Sequence, residues 1–419
     1  MKLITTTALA LVAAFAAAPA AAQYGASSQQ QPQQQPQTAA QPETKAASIK
    51  PSSKALKAIV DLQDTVNKKD FANVPAKVAA AQAVASTKED RYLIGKLQLD
   101  AARASNDNAA LAAAIDTIAG SGYLDAVKTA GLYQDLGGIY FNAKQYPQAA
   151  AAYQKALAID SRNAEASRML GTAQFQAGQK AEAAATLQKF MQASIAAGQK
   201  PSEDTYRLAV QAAFDANLPA AADLARQWLS AYPSQDSWRN SIAVYRNLNQ
   251  PDPQSTLDLL RLMQAAGALK EAVDYELYAA TAFDQNNYNE AQAVMDAGLA
   301  AKVLDPANSQ VRDLLAALKT KNKATVADLE TAEKSAQNAT AYVRIGDRYY
   351  AMGQYAKAAE LYRKAVGKPG IDANIANLHL GMALARAGDK AGATAALNAV
   401  TGPRADIAKF WLAYVNQKA

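Results

Sequence analysis

The chain has 419 residues, no cysteine, one histidine and a formal net charge of +6. Without cysteine it has no disulfide, no thiolate metal ligand and no cysteine nucleophile, so packing alone must hold it together. The charge is thinly spread, with no dense Lys/Arg block and no basic stripe interleaved with aromatics, which excludes nucleic acid as the expected partner.

Residues 1–22 read as a secretory signal peptide. Lys2 gives the positive start, Leu3 to Ala18 is uncharged and apolar apart from Thr5, Thr6 and Thr7, and Ala20-Ala21-Ala22 supplies the small-residue cleavage pattern. The expected mature start is Gln23, leaving a charge of about +5 once Lys2 is removed. A lipid anchor at that site needs a cysteine, which is missing. Residues 23–51 form a Gln/Pro/Ala/Ser spacer with too few large apolar side chains to offset its ordering entropy, and it is expected to be disordered. No later segment has the uncharged apolar length to span a membrane.

From Ser52 the composition shifts to Ala, Leu, Gln, Lys and Asp, which favour helix. Turn residues recur every fifteen or so positions, a spacing that suits helices of three to four turns. A first helix pair is predicted over 52–86, turning near Lys69-Asp70, and a second over 92–120, turning at Asn106-Asp107-Asn108. A fixed period follows. Leu136-Gly137 and Leu170-Gly171 are 34 apart, as are Ala149 and Ala183, Tyr153 and Leu187, and Ala156 and Phe190. Divergent copies fill 203–233, 236–266 and 273–299, and 307–337 reads as a further pair around Asn322-Lys323. A second tandem pair has an offset of 35: Ile345-Gly346 matches Leu380-Gly381, Ala358 matches Ala393, and Tyr362 matches Leu397. A closing helix is expected over 405–418, with Phe410, Trp411 and Tyr414 covering the last pair and Lys409 and Lys418 facing water.

A period of this size marks a solenoid or array. The copy at 130–163, with Leu136-Gly137, Tyr140, Tyr146, Ala149, Tyr153 and Ala156, resembles the tetratricopeptide repeat family. So does the copy at 340–366, with Ile345-Gly346, Tyr349, Gly353, Tyr355, Ala358, Tyr362 and Ala365. Lys144 stands where a turn glycine is usual, and Ser161 where the closing proline is usual. The resemblance implies an all-α fold, a right-handed α-solenoid of antiparallel helix pairs. In it Gly137 and Gly346 allow close helix approach and Tyr140 and Tyr153 fill the wedge between pairs. Divergent pairs over 52–129, two clear repeats over 130–197, divergent pairs over 198–338, two clear repeats over 339–402 and a capping helix over 403–419 complete the expected organisation. A solenoid built on a unit of ~40 residues is disfavoured by the 34 and 35 offsets.

Catalytic chemistry is sparse. The single His379 excludes HExxH and multi-histidine zinc sites, and it reads as a partly exposed packing residue between Leu378 and Leu380. There is no GxSxG elbow and no GxxxxGK[ST] phosphate loop. Lytic transglycosylases built on helical superhelices resemble one another in a Glu-Ser pair, and this chain has no Glu-Ser dipeptide. The acidic residues are expected on solvated faces or turns. No enzyme, metal or cofactor is expected.

Surface recognition remains. In the family that the chain resembles, the first helix of each pair lines a concave groove. The groove positions here are expected to be Gln134, Phe141, Asn142, Arg168, Thr172, Phe175, Gln176, Tyr206, Phe214, Arg239, Arg246 and Asn247. Aromatic, arginine and amide side chains suit an extended peptide, and Arg168, Arg239 and Arg246 suit acidic groups. The alternative is that the aromatics are core and the arginines merely solvated. Gln134 and Gly138 stand where a chaperone-binding carboxylate clamp would have Lys and Asn, so a cytosolic chaperone is not the expected partner. The expected function is a periplasmic protein–protein scaffold binding a protein or peptide, with envelope association. A peptidoglycan-active enzyme and a purely architectural spacer are the alternatives.

Overall fold

The computed structural model describes residues 49–417. The expected signal peptide, all of the spacer up to residue 48, and Lys418 lie outside the described residues. Among the described residues there are 21 α-helices, one 3-10 turn and no strand. This is an all-α solenoid of antiparallel helix pairs, and it divides into two compact units at Ala216/Asn217.

The helices begin and end where local chemistry dictates. Asp107, Asp125, Asn163, Ser202, Ser234, Asp252, Asn338 and Asp372 each cap a helix by accepting a backbone N–H from its first turn. Most hairpin turns hold one residue in the left-handed region: Lys69, Asn106, Lys144, Gly178, Gln250, Asn286, Gly353 and Gly388. Lys144 therefore adopts the backbone that glycine takes at Gly178 and Gly353.

Unit 1 contains α1 (Leu56–Asn67), α2 (Val74–Val84), α3 (Lys88–Ser105), α4 (Asn108–Gly120), α5 (Ala126–Asn142), α6 (Tyr146–Ile159), α7 (Ala164–Gln176), α8 (Lys180–Ala196) and α9 (Glu203–Asp215). Each helix packs on the next in chain order, as stacked hairpins require. Motif glycines set the hairpin spacing. A Cβ on Gly137 would lie 2.6 Å from the Tyr153 ring. The chain enters the stack through a buried carboxylate. Asp90 accepts Ser52 N–H at 2.7 Å, Ser52 Oγ–H at 2.7 Å, Ser86 N–H at 2.9 Å and Thr87 N–H at 3.1 Å.

Unit 2 contains α10 (Ala220–Ala231), α11 (Gln235–Asn249), α12 (Pro253–Ala265), α13 (Ala272–Asp284), α14 (Tyr288–Ala300), α15 (Ser309–Lys319), α16 (Val326–Ser335), α17 (Ala339–Ala351), α18 (Tyr355–Ala365), α19 (Ala373–Ala387), α20 (Lys390–Asn398), the 3-10 turn Gly402–Arg404 and α21 (Ala405–Gln417). Stacking in chain order is interrupted here. The stretch read as a pair around Asn322-Lys323 does form two helices, but α15 packs on α13 and α14, and α16 packs on α17. Helix α14 reaches α17 directly. Gly346 repeats the role of Gly137, with a Cβ position 2.6 Å from the Tyr362 ring.

The closing helix corrects the sequence expectation. It packs on α19 and α20, but it also crosses to α12. Phe410 meets Tyr245 edge-on at 5.6 Å, Tyr414 lies 6.5 Å from Trp238, and Trp238 Nε1–H donates to Gln417 Oε1 at 3.0 Å. The reason is apolar area. Ile407, Ala408, Phe410, Trp411, Tyr414 and Val415 are all buried, more than the face of one terminal hairpin can cover. Unit 2 thus closes on itself around one continuous core running from Leu229 to Val415.

Candidate functional site

In unit 1, α5 carries two half-buried glycines with little packed against them. Among the described residues, and apart from the backbone of its own helix and its chain neighbours, Gly131 has no heavy atom within 4 Å of a Cβ position, and Gly138 has only Tyr153 Oη at 3.9 Å. Between them Gln134 Oε1 accepts from Asn163 Nδ2–H at 2.8 Å, which ties α5 to the cap of α7. Val127 is 64% exposed and Ile139 37% exposed on the same helix.

Two of the four aromatic groove residues, Phe141 and Phe175, are turn clasps. Phe141 packs edge-on against Tyr146 across the α5–α6 turn, with ring centroids 5.3 Å apart. Phe175 lies under the Lys180 ammonium, 3.3 Å from its ring centre. Phe283–Tyr288 and Tyr350–Tyr355 repeat the clasp in unit 2. The expected anchors at these positions are therefore half-buried, with one ring edge spent on the hairpin. Tyr206 is 3% exposed and belongs to the core, which corrects its expected outward position.

The arginines are engaged rather than merely solvated. Arg168 donates to Glu165 at 3.0 and 2.6 Å, and Thr172 Oγ1–H caps back to the Arg168 carbonyl at 3.1 Å. Asn142 and Gln176 are exposed, and Phe214 is half-buried. In unit 2, Arg239 bonds Asp274 and Glu271, both at 2.8 Å, and so joins α11 to α13. Arg246 is half-buried, and its Nε is buried with no hydrogen-bond partner among the described residues. Burial pushes its guanidinium below the usual range, and Asp274 pulls it partly back. Asn247 donates to the carbonyl of Ala243 at 2.9 Å.

The corresponding face of unit 2 is not a groove but a buried charge cluster. Arg261, fully buried on α12, donates to both Glu290 oxygens at 2.8 Å and lies 3.4 Å from Asp258 and from Asp347. His379, 1% exposed on α19, lies 3.1 Å from Asp258 through Nε2 and 3.1 Å from Asp347 through Nδ1. Tyr278 donates to Glu290 at 2.8 Å and Tyr362 to Asp347 at 2.7 Å. Trp411 Nε1–H reaches the Asp258 carbonyl at 3.4 Å, and Arg404 bonds Ser255 Oγ at 2.5 Å and Asp252 at 3.2 Å.

Electrostatics follow from this packing. Burial would lower the His379 pKa, but the Asp258 and Asp347 carboxylates dominate together and hold it up to about 9. Burial would raise Asp347, and His379 and Arg261 instead hold it well below the usual carboxylate range. The Arg261 guanidinium is raised well above its ordinary value by Glu290 and Asp347, against the opposing effect of burial. His379 is thus not the partly exposed packing residue expected from its apolar neighbours. Nor do the acids Asp90, Asp258, Asp274, Glu290 and Asp347 sit on solvated faces.

The signal for this cluster was present but faint. Asp347 directly follows Gly346, and His379 precedes Leu380-Gly381, so both sit on first-helix faces. Arg261 and Asp258 share one turn of α12. Nothing in the local pattern says that these faces meet, because the closure that joins them is long-range.

These helix pairs, motif glycines and stacked cores define a helical-repeat protein. Residues 343–406 match the family described as tetratricopeptide repeat and residues 137–178 the family described as TPR repeat. Tetratricopeptide repeats thus occupy two stretches of this all-α chain, one in each unit. No curated protein matches the sequence. A chain from the structure of Naa15/Naa10 bound to HypK-THB aligns at 12% identity over 87% of this chain and 65% of its own length, with a TM-score of 0.42. A tetratricopeptide repeat protein from Parabacteroides merdae aligns at 12% identity over 80% of this chain and 100% of its own, with a TM-score of 0.29. The TPR2AB domain of yeast Sti1, in a complex with pHSP90, aligns at 13% identity over 69% and 99%, with a TM-score of 0.26. This chain spans just under two thirds, 65%, of the length of the first of these. Among the described residues no helix is long and apolar enough to cross a membrane.

Proposed function

We propose that this chain is a non-catalytic scaffold of a bacterial periplasm, and that it takes a peptide or protein segment along the first-helix face of unit 1. The observation that carries the reading is the bare surface at Gly131 and Gly138. Glycine inside a helix costs roughly 0.5–1 kcal/mol relative to alanine. Gly137 has a packing reason to be glycine, because Tyr153 lies against it, whereas Gly131 and Gly138 have none within the described residues. A surface without Cβ atoms lets a partner's backbone approach closely. On the same helix, Gln134 and the exposed Asn142 carry amides suited to the hydrogen-bonding groups of an extended segment.

The apolar run over 1–22, with its small-residue cleavage pattern, supports export and therefore a periplasmic site of action. Envelope association is part of the same reading.

The test uses the full chain as bait in periplasmic extract, alongside a Gly131→Arg/Gly138→Arg double variant. A partner captured by the first and lost from the second is the expected result. Equal capture by both overturns the assignment of this face. The purified cellular chain is expected to begin at Gln23, and a chain that retains Met1 overturns the export reading. Hydrolysis of peptidoglycan by the purified protein would replace the scaffold reading with the enzyme alternative.

A further inference from the structure

His379 sits buried between two carboxylates, a position that favours the imidazolium over the neutral ring. Both ring nitrogens lie 3.1 Å from carboxylate oxygens, Nε2 from Asp258 and Nδ1 from Asp347. Ionised carboxylates only accept, and a neutral imidazole has one N–H to give; the imidazolium has two. Charge counting leads to the same state. The cluster gathers three carboxylates, Asp258, Glu290 and Asp347, which are 0%, 3% and 7% exposed. Against them stand Arg261 and, at 3.9 Å from Asp258 but 3.2 Å from the exposed Asp252, a shared Arg404. Two guanidiniums leave one buried negative charge unmatched, and an unpaired charge at this depth is strongly destabilising. Protonated His379 is the third cation.

The groups facing the ring come from every element packed on it. Helix α12 contributes Asp258, Arg261 and Gln254, whose Nε2 lies 3.3 Å from the ring Nε2 and donates to Asp258 at 3.0 Å. Helix α17 contributes Asp347, α14 contributes Glu290 behind Arg261, and the 3-10 turn contributes Arg404. From α18 the Tyr362 ring stands edge-on at 5.3 Å, with its hydroxyl donating to Asp347. The tie therefore joins α12 to α17 and α19, elements more than eighty residues apart in the chain.

We propose that His379 is a resident imidazolium that ties α12 to α17 and α19, so that closure of unit 2 over its own first-helix face is linked to occupancy of this one proton. While the proton is bound, the face of α17 and α19 is filled by α12 and withheld from partners. Its loss leaves one ring nitrogen facing a carboxylate acceptor to acceptor, and the tie loosens.

The chain has a single histidine, so one imidazole resonance reports the site directly. Titration of the full chain by NMR is expected to place the imidazole transition near pH 9, and Asp347→Asn is expected to move it down by more than one pH unit. Hydrogen exchange of α12 and α19, corrected for intrinsic rates, is expected to rise tenfold or more between pH 7.5 and 10. In His379→Gln the same helices should exchange at the faster level already at pH 7.5, with no step. An imidazole titrating at or below 6.5, or matching exchange profiles in the two proteins, overturns the proposal. If the glutamine variant does not fold, the titration of the natural chain decides alone.

Discussion

On α5 the residue after the motif glycine is Gly138, with open space beside it; on α17 the residue in that place is Asp347, buried in an ion cluster. The hairpins beneath are alike. Gly137 is pressed by Tyr153 and Gly346 by Tyr362, each with a Cβ position 2.6 Å from the ring. The repeat motif therefore sets how two helices of a pair meet, and leaves the first-helix face free to be bare or filled. Unit 1 leaves it bare at α5, whereas unit 2 fills it with α12 and α21.

The largest expected effect breaks the filled face. Arg261→Met leaves Glu290, Asp347 and Asp258 buried without their central cation. Removing one partner of a buried pair costs about 3–5 kcal/mol. Denaturant unfolding should show unit 2 losing that much while the unit 1 transition stays in place. Combining Arg261→Met with Glu290→Gln should recover a large part of the loss, because Asp258 and Asp347 then face two cations, Arg404 and protonated His379.

A smaller effect compares the two glycines. Alanine at either forces a methyl into a tyrosine ring, and overpacking costs about 1–3 kcal/mol. Tyr362 is pinned by its 2.7 Å bond to Asp347, while the Tyr153 hydroxyl points towards the open space at Gly138. Gly346→Ala should therefore fall near the upper end of that range and Gly137→Ala near the lower end. Equal losses, measured by thermal unfolding, would show that the pinning has no consequence.

The alkaline end of the pH scale should also tell the units apart. The folded pKa of His379 is raised, so its contribution is fully present below the ordinary value of 6.5 and is lost as pH rises through about 9. In unit 1, burial would raise Asp90, but the bonds from Ser52, Ser86 and Thr87 together hold it well below the ordinary 3.8. Its contribution is present above 3.8 and is lost as pH falls through the lowered folded value. Alkaline titration should loosen α19 and leave unit 1 in place, whereas acid titration should weaken both the α1–α3 entry and α17, where Asp347 is also held low, as read by site-resolved hydrogen exchange.

This contrast also explains what could be read from the chain alone. Leu136-Gly137, Tyr153, Ile345-Gly346 and Tyr362 lie within one hairpin, and their spacing is enough to place them. Lys144 was legible as a missing glycine, and the left-handed turn is kept without it. The ion cluster was not legible, because His379 and Asp258 are 121 residues apart and meet only through closure. Phe141 and Phe175 were read as anchors because an aromatic near a helix end looks alike whether it faces a ligand or the next helix. Tyr146 and Lys180, five residues on, were the signal that it clasps the turn.

The smallest effect probes the bare face itself. Gly131→Ala and Gly138→Ala add a methyl where almost nothing in the chain contacts it, so each should stabilise unit 1 by about 0.5–1 kcal/mol. If the face receives a partner, the same methyls should weaken capture even as the fold gains stability. Stability and binding moving in opposite directions would separate a functional surface from a poorly optimised helix, since the latter gains stability and loses nothing. Equilibrium unfolding and quantitative pull-down of the two single variants make that comparison.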